Sequence, residues 1–165
     1  MNYHNITKDD MLNGDGLRVV LWTSGCNHHC KNCQNPITWD ENGGLPFDKE
    51  AEDELFEALD KSHISGITFS GGDPLFPGNR SEVMRLAKKC KEKFPNKTVW
   101  SYTGYLWEEV KDIEGIENID VLIDGEYKEE LGDNNLHWVG SSNQRIIDVK
   151  KSLETGEVVL FATLV

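Results

Sequence analysis

Three cysteines fall within eight residues of this chain, in Ser24-Gly25-Cys26-Asn27-His28-His29-Cys30-Lys31-Asn32-Cys33-Gln34-Asn35, with the spacing C-x3-C-x2-C. Thiolates brought this close are too costly to bury together without a compensating cation, so the loop calls for a metal centre or a disulfide. The number three separates the options. A structural zinc site or an ordinary iron–sulfur cluster takes four protein ligands, and this loop supplies three sulfurs. Three fixed ligands and one open position describe a reactive centre, by the logic that separates catalytic from structural zinc. Two alternatives stay open at this point. His28 or His29 could complete a Cys3His zinc site in which Cys26, Cys30 and Cys33 are structural, or the cysteines could form a regulatory disulfide with one thiol left over.

The rest of the composition narrows the class. With 165 residues, 38% of them apolar and 28% charged, the chain fits one globular domain spanning 1–165. Its first ten residues hold neither a basic nor an apolar run, and no stretch approaches the roughly 18 apolar residues of a membrane span. The expectation is a cytoplasmic protein with no membrane partner. Four cysteines grouped three and one are unlike an even disulfide framework and suit a reducing compartment. A net charge of −12, from 29 acidic and 17 basic residues, repels a phosphate backbone and argues against a nucleic-acid partner. Arg80, Arg85, Lys88, Lys89, Lys91 and Lys93 are a local exception. They read as the solvated face of one helix, with docking of an acidic electron-transfer protein as the alternative.

Along the chain, strand and helix signals alternate. After the glycine-punctuated turn Asn13-Gly14-Asp15-Gly16, the run Leu17 to Trp22 has Arg18 as its only charge and suits a strand buried on both faces. The cysteine loop follows at the C-terminal end of that strand, where α/β folds build their sites. Asp48 is a good N-cap for a helix to about Lys61, with Ala51, Leu55, Ala58 and Leu59 on one stripe. Gly66 to Ser70 reads as a second strand. A helix from about Ser81 to Phe94 carries Val83, Ala87, Cys90 and Phe94 on one face, so Cys90 reads as a buried small hydrophobe and not a fourth ligand. Thr98 to Tyr102, Ile119 to Ile123 and Arg145 to Val149 are further strand candidates, with Val158 to Phe161 a possible last one. A short helix with Leu106, Val110 and Ile113 inward lies between the first two of these. The alternation argues for an α/β fold with a parallel sheet.

Gly71-Gly72-Asp73-Pro74 ends the second strand and so lies near the cysteine loop. Adjacent glycines expose backbone N–H and C=O groups to a ligand, and Asp73 adds a carboxylate suited to an ammonium group. An ordinary turn is the competing reading, since Gly-Gly and Asp-Pro both form turns.

C-x3-C-x2-C after one strand and Gly-Gly-Asp-Pro after the next resemble the radical S-adenosylmethionine superfamily, and Asn13 to Arg18 is similar to the leader of its glycyl-radical activating enzymes. The segments Trp100 to Tyr105, Leu122 to Tyr127 and Gly140 to Arg145 resemble the branch of those enzymes whose partner is an anaerobic ribonucleoside-triphosphate reductase. The resemblance covers nearly everything from Met1 to about Val149. It implies that Cys26, Cys30 and Cys33 hold a [4Fe–4S] cluster whose fourth iron is chelated by S-adenosylmethionine, and that one electron cleaves the sulfonium. It places Asn32, Cys33 and Gln34 beside the adenine and Gly71, Gly72 and Asp73 beside the methionyl amino group. Asp73 stands where glutamate is commoner. Ser101, Thr103 and Asp124 are weaker candidates for the ribose and methionine carboxylate, and turn hydrogen bonds are an equal explanation of them. The resemblance also implies reduced flavodoxin or a similar one-electron donor. Because a full (β/α)8 barrel typically needs about 250 residues, the implied fold is an incomplete (β/α) barrel of radical S-adenosylmethionine type with a mostly parallel sheet. An activase of pyruvate formate-lyase and a non-enzymatic Cys3His zinc module are the alternatives.

Overall fold

The computed structural model describes residues 1–28, 39–133 and 136–162. Its strands are β1 (Asn2–Asp10), β2 (Arg18–Thr23), β3 (Leu45–Pro46), β4 (Gly66–Gly71), β5 (Thr98–Tyr102), β6 (Val121–Asp124) and β7 (Arg145–Asp148). The α-helices are α1 (Lys49–Leu59), α2 (Arg80–Lys93), α3 (Trp107–Val110) and α4 (Val149–Thr155). All seven strands join one sheet in the order β3-β1-β2-β4-β5-β6-β7. The middle of it, β2-β4-β5-β6, is parallel. Both flanks are antiparallel, β1 against β2 and β7 against β6. The fold is therefore α/β with a mixed, open sheet that is parallel at its centre; the antiparallel flanks are where it departs from the mostly parallel expectation.

Local chemistry accounts for the central elements. Asp48 caps α1 by accepting from the Ala51 N–H at 2.9 Å, which satisfies one of the orphan donors of the first turn. Val19, Leu21, Ile67, Phe69, Val99 and Leu122 alternate along the strands and form one core with Leu55 and Leu59 of α1 and Val83, Leu86 and Cys90 of α2. Cys90 is fully buried there, as its place on the apolar stripe implies. Two expectations fail locally. Leu106 is 47% exposed, and Trp107 is the residue that turns inward beside Val110. Val158 to Phe161 forms no strand, only an isolated bridge between Leu160 and Ile147.

Among the described residues, the opposite face of the sheet carries no helix. Trp100, Val121 and Ile123 project from it and pack with Tyr102, Trp138, Ile146 and Phe161. At the N-terminal end of the parallel strands this face is filled by Arg18 and the turn before it. Arg18 Nε donates to Thr68 Oγ1, Nη1 to Asp15 O and Thr98 Oγ1, and Nη2 to Ile67 O and Thr98 O. With one end of the face plugged, the space that remains lies toward the C-terminal ends of the strands.

Candidate functional site

That space is a cavity of about 310 Å³. Each parallel strand contributes to its wall: Trp22 and Cys26 from β2 and its loop, Ser70, Gly71 and Gly72 from β4, Tyr102, Thr103 and Gly104 from β5, and Gly125 and Glu126 after β6. Leu12, His28, Trp138 and Gln144 are among the other residues that line it. A second hollow of about 350 Å³, walled by Glu129, Gly132 and Asp133, adjoins it through Tyr127, Leu136, Val139 and Gly140. The half-buried Cys26 and the Gly71–Gly72 turn thus share one cavity. Cys30, Cys33, Asn32, Gln34 and His29 lie outside the described residues.

The turn is built for close approach. Gly71 has φ +109, and a Cβ there would lie 2.4 Å from the Thr23 carbonyl oxygen, so only glycine serves. Gly72 N donates to Thr23 O at 3.0 Å, and Asp73 N donates to Gly25 O at 2.7 Å. Asn79, buried ahead of α2, donates to Ser24 O at 2.7 Å. The turn after β4 is in this way laced to the first residues of the cysteine loop.

Asp73 does not face the cavity. It is 1% exposed, and its carboxylate accepts from Leu75 N at 2.8 Å, Thr103 Oγ1 at 2.9 Å, Gly104 N at 2.9 Å and His28 Nε2 at 2.7 Å. The Nδ1 of His28 pairs with Glu126 Oε1 at 2.8 Å. The hydrogen bond to Asp73, reinforced by Glu126 against the opposing effect of burial, pushes the imidazole up to about 9. At neutral pH it is a cation donating from both nitrogens.

A family model described as a 4Fe-4S single cluster domain matches residues 12–147. The anaerobic ribonucleoside-triphosphate reductase-activating protein of Enterobacteria phage T4 is 44% identical over 146 residues, covering 88% of this chain and 93% of its own length. The protein of that name from Escherichia coli K12 is 40% identical over 148 residues, with 87% and 96% covered. Its counterpart in Vibrio cholerae is 41% identical over 150 residues, with 88% and 97% covered. The chain belongs to the anaerobic ribonucleoside-triphosphate reductase-activating protein family.

The segments that singled out this family now have a physical role in the chain. Gly140-Ser141-Ser142-Asn143-Gln144-Arg145 clamps the loop after β6. Gln144 Oε1 accepts from the N–H groups of Gly140 and Ser141, and its Nε2 donates to Gly125 O. Asn143 Nδ2 donates to Glu126 O, and Arg145 pairs with Asp124 and Glu108. Asp124 is fully buried and accepts from Trp107 N at the start of α3, so it supports the wall from behind. Ser101 is also buried and donates to Tyr102 O. Of the three weaker candidates, only Thr103 reaches the cavity wall.

Four of the six cations of α2 are engaged on the chain itself by hydrogen bonds or ion pairs. Arg85 and Lys89 pair with Glu52, Lys91 with Asp120, and Arg80 donates to Leu75 O. No helix among the described residues is long and apolar enough to cross a membrane. Sequence reasoning missed Glu126 and Asn79, and it gave His28 only a ligand's role. Their partners are too distant along the chain for a local pattern to show them.

Proposed function

We propose that this chain cleaves S-adenosylmethionine reductively at a [4Fe–4S] cluster held by Cys26, Cys30 and Cys33, and so places a glycyl radical on an anaerobic ribonucleoside-triphosphate reductase. The observation that carries the reading is the meeting of Cys26 and the Gly71–Gly72 turn in one cavity. The chain also aligns over 87–88% of its length with proteins named as activators of that reductase.

The residues present fit the groups the reading requires. A cavity of about 310 Å³ is within the range of small-molecule sites, and a thiol at its wall is the donor an iron–sulfur cluster takes. When bound, the cluster supplies the electron that splits S-adenosylmethionine into methionine and, with a hydrogen atom from the reductase's glycine, 5′-deoxyadenosine. Because Gly72 N–H is donated to Thr23 O, Gly71 and Gly72 offer an ammonium group their carbonyl oxygens, which have the right polarity. Asp73 acts from beneath, holding the turn. Asn32 and Gln34 flank Cys33 and would meet the adenine through their backbone. The protein orients the sulfonium, excludes water and leaves an entrance for the partner's glycine loop. Leu12 lines the cavity and is 79% exposed, and Met11 beside it is 66% exposed, an apolar lip suited to a protein surface. A reduced flavodoxin or similar donor would supply the electron.

The Cys3His zinc reading loses His28, whose two ring nitrogens are both bonded to carboxylates. The test is anaerobic reconstitution with iron and sulfide, then reductant, S-adenosylmethionine and either an anaerobic ribonucleotide reductase or a pyruvate formate-lyase. A glycyl doublet in electron paramagnetic resonance is expected with the ribonucleotide reductase alone, from wild type and Cys90→Ala but not Cys26→Ala. A doublet only with the formate-lyase would overturn the partner; 5′-deoxyadenosine release with neither would overturn the glycyl target.

A further inference from the structure

One side chain touches the loops after all four parallel strands. His28 lies in the loop after β2; its Nε2 bonds to Asp73 after β4, and its Nδ1 to Glu126 after β6. The loop after β5 meets it twice: the Tyr105 ring stands edge-on at 4.7 Å, and a Cβ on Gly104 would lie 2.4 Å from the imidazole Cδ2. Gly104 is therefore the residue that lets the ring in. Asp73, the receiving end of the contact, is itself fixed by Thr103 Oγ1, Gly104 N and Leu75 N. The imidazole is only 9% exposed, so the Asp73 contact is shielded from water, while Glu126 at the outer end is half-exposed.

We infer that His28 is a positioning residue: it is a strut that sets the distance between the cysteine loop and the Gly71–Gly72 turn. It stands two residues after Cys26, and Asp73 directly follows Gly72. Any rotation of the imidazole moves Cys26 relative to the turn or breaks a charge-assisted hydrogen bond. The inference rests on the proposed function, in which those two elements grip the same S-adenosylmethionine. A gap preset by the protein spares the ligand the cost of ordering it, so the strut acts on affinity for S-adenosylmethionine and not on cluster loading. It also gives Thr103 and Gly104 a common role, since both hold the receiving end.

The test uses the reconstituted protein and four variants, His28→Phe, Gly104→Ala, Glu126→Ala and Glu126→Gln. It reads iron content, S-adenosylmethionine affinity by calorimetry, and the change S-adenosylmethionine makes in the paramagnetic resonance of the reduced cluster. Phenylalanine keeps a ring against Tyr105 but loses both bonds; alanine at 104 displaces the ring without deleting it. Both are expected to keep wild-type iron and to bind S-adenosylmethionine roughly ten- to a hundredfold more weakly, the loss of a charge-assisted bond. Their resonance change is expected to be reduced. Glu126→Ala removes only the exposed outer bond and is expected to weaken binding about three- to tenfold. Glu126→Gln keeps an acceptor for Nδ1 and is expected to recover most of that loss. Wild-type affinity in His28→Phe and Glu126→Ala would overturn the strut alone. Loss of iron in parallel with loss of binding would also overturn it, assigning the imidazole to cluster assembly. Loaded wild type that binds no S-adenosylmethionine would overturn the proposed function and the strut together.

Discussion

Arg18 is the single charge in a strand otherwise built from apolar residues, and its burial is nearly complete at 1% exposure. Its five N–H groups each meet an acceptor, three of them backbone carbonyls, and its guanidinium lies 5.4 Å from the Trp100 ring centroid. Burial lowers it to about 10, still well above neutral pH, so it folds as a cation. The rigid fork is what lets one side chain serve β4, β5 and the leader turn at once; an ammonium offers three donors and no plane. Arg18→Lys should cost about 3 kcal/mol, because it strands buried acceptors that water cannot reach. Urea unfolding with an unchanged slope checks it, and a loss below about 1 kcal/mol would mean that water replaces the missing donors. The neighbouring Gly66 belongs to the same packing, since a Cβ there would lie 1.9 Å from Thr98 O.

Between elements, the contact of α1 with α2 is ionic on its outer side and apolar within. Glu52 of α1 receives Arg85 and Lys89 of α2, and Arg85 also holds Glu82. The Arg85 hydrogen bond is the largest influence holding the Glu52 carboxyl down, from 4.5 to about 2, with Lys89 adding and burial opposing. A carboxyl depressed in the folded state adds stability that is complete above pH 4.5 and lost as pH falls toward 2. Arg85 is half-exposed, so screening limits the effect: Glu52→Gln is expected to lose about 1 kcal/mol at neutral pH. The gap to wild type should close over that acid window and shrink in about 1 M salt; a gap unchanged near pH 3 would refute the pairing. These helices were legible in the sequence, as were β2, β4 and β5, because a cap, an apolar stripe or a buried run is a local signal. β1 was not, since Ile6 is its only buried residue and backbone pairing to β2 holds the rest. Nor was α4, which begins at Val149 where a strand was read: Asp148 caps it by accepting from Lys151 N, but β7 runs straight into it, so the β-branched run Ile146, Ile147, Val149 hides the boundary. At the cavity, the nearness of Cys26 and the Gly71–Gly72 turn could be read because each belongs to a short motif at a strand end; Cys30 and Cys33 lie outside the described residues. The direction of Asp73 could not, because the residues that turn it inward, His28 and Thr103, lie 45 and 30 positions away.

At the scale of the whole molecule, an open sheet whose described helices all lie on one face covers the other face, among the described residues, by different means. Here the two ends of the chain do so. Trp138, in the segment that leads to Gly140, lies on the helix-free face and donates from Nε1 to Asp15 Oδ1 in the leader turn, across 123 positions of sequence. Tyr102 of β5 holds the same residue by donating to its carbonyl oxygen at 2.8 Å, and Trp100 meets its ring edge-on at 6.4 Å. Trp138 takes this place at φ +64, a left-handed conformation that a bulky side chain adopts only when its surroundings over-determine it. The residue therefore works as a latch that joins leader, sheet and C-terminal segment while walling the cavity. Its removal should be felt as lost cooperativity of the fold and not as a local change. Trp138→Phe, which keeps a ring but loses the bond to Asp15, is expected to cost about 1 kcal/mol, and Trp138→Ala about 3–4 kcal/mol through the void it leaves. Urea unfolding measures both, and near-ultraviolet circular dichroism reports the packing of the remaining tryptophans. A loss below about 0.5 kcal/mol for Trp138→Ala, the level of an ordinary surface change, would show that the helix-free face is held without the latch.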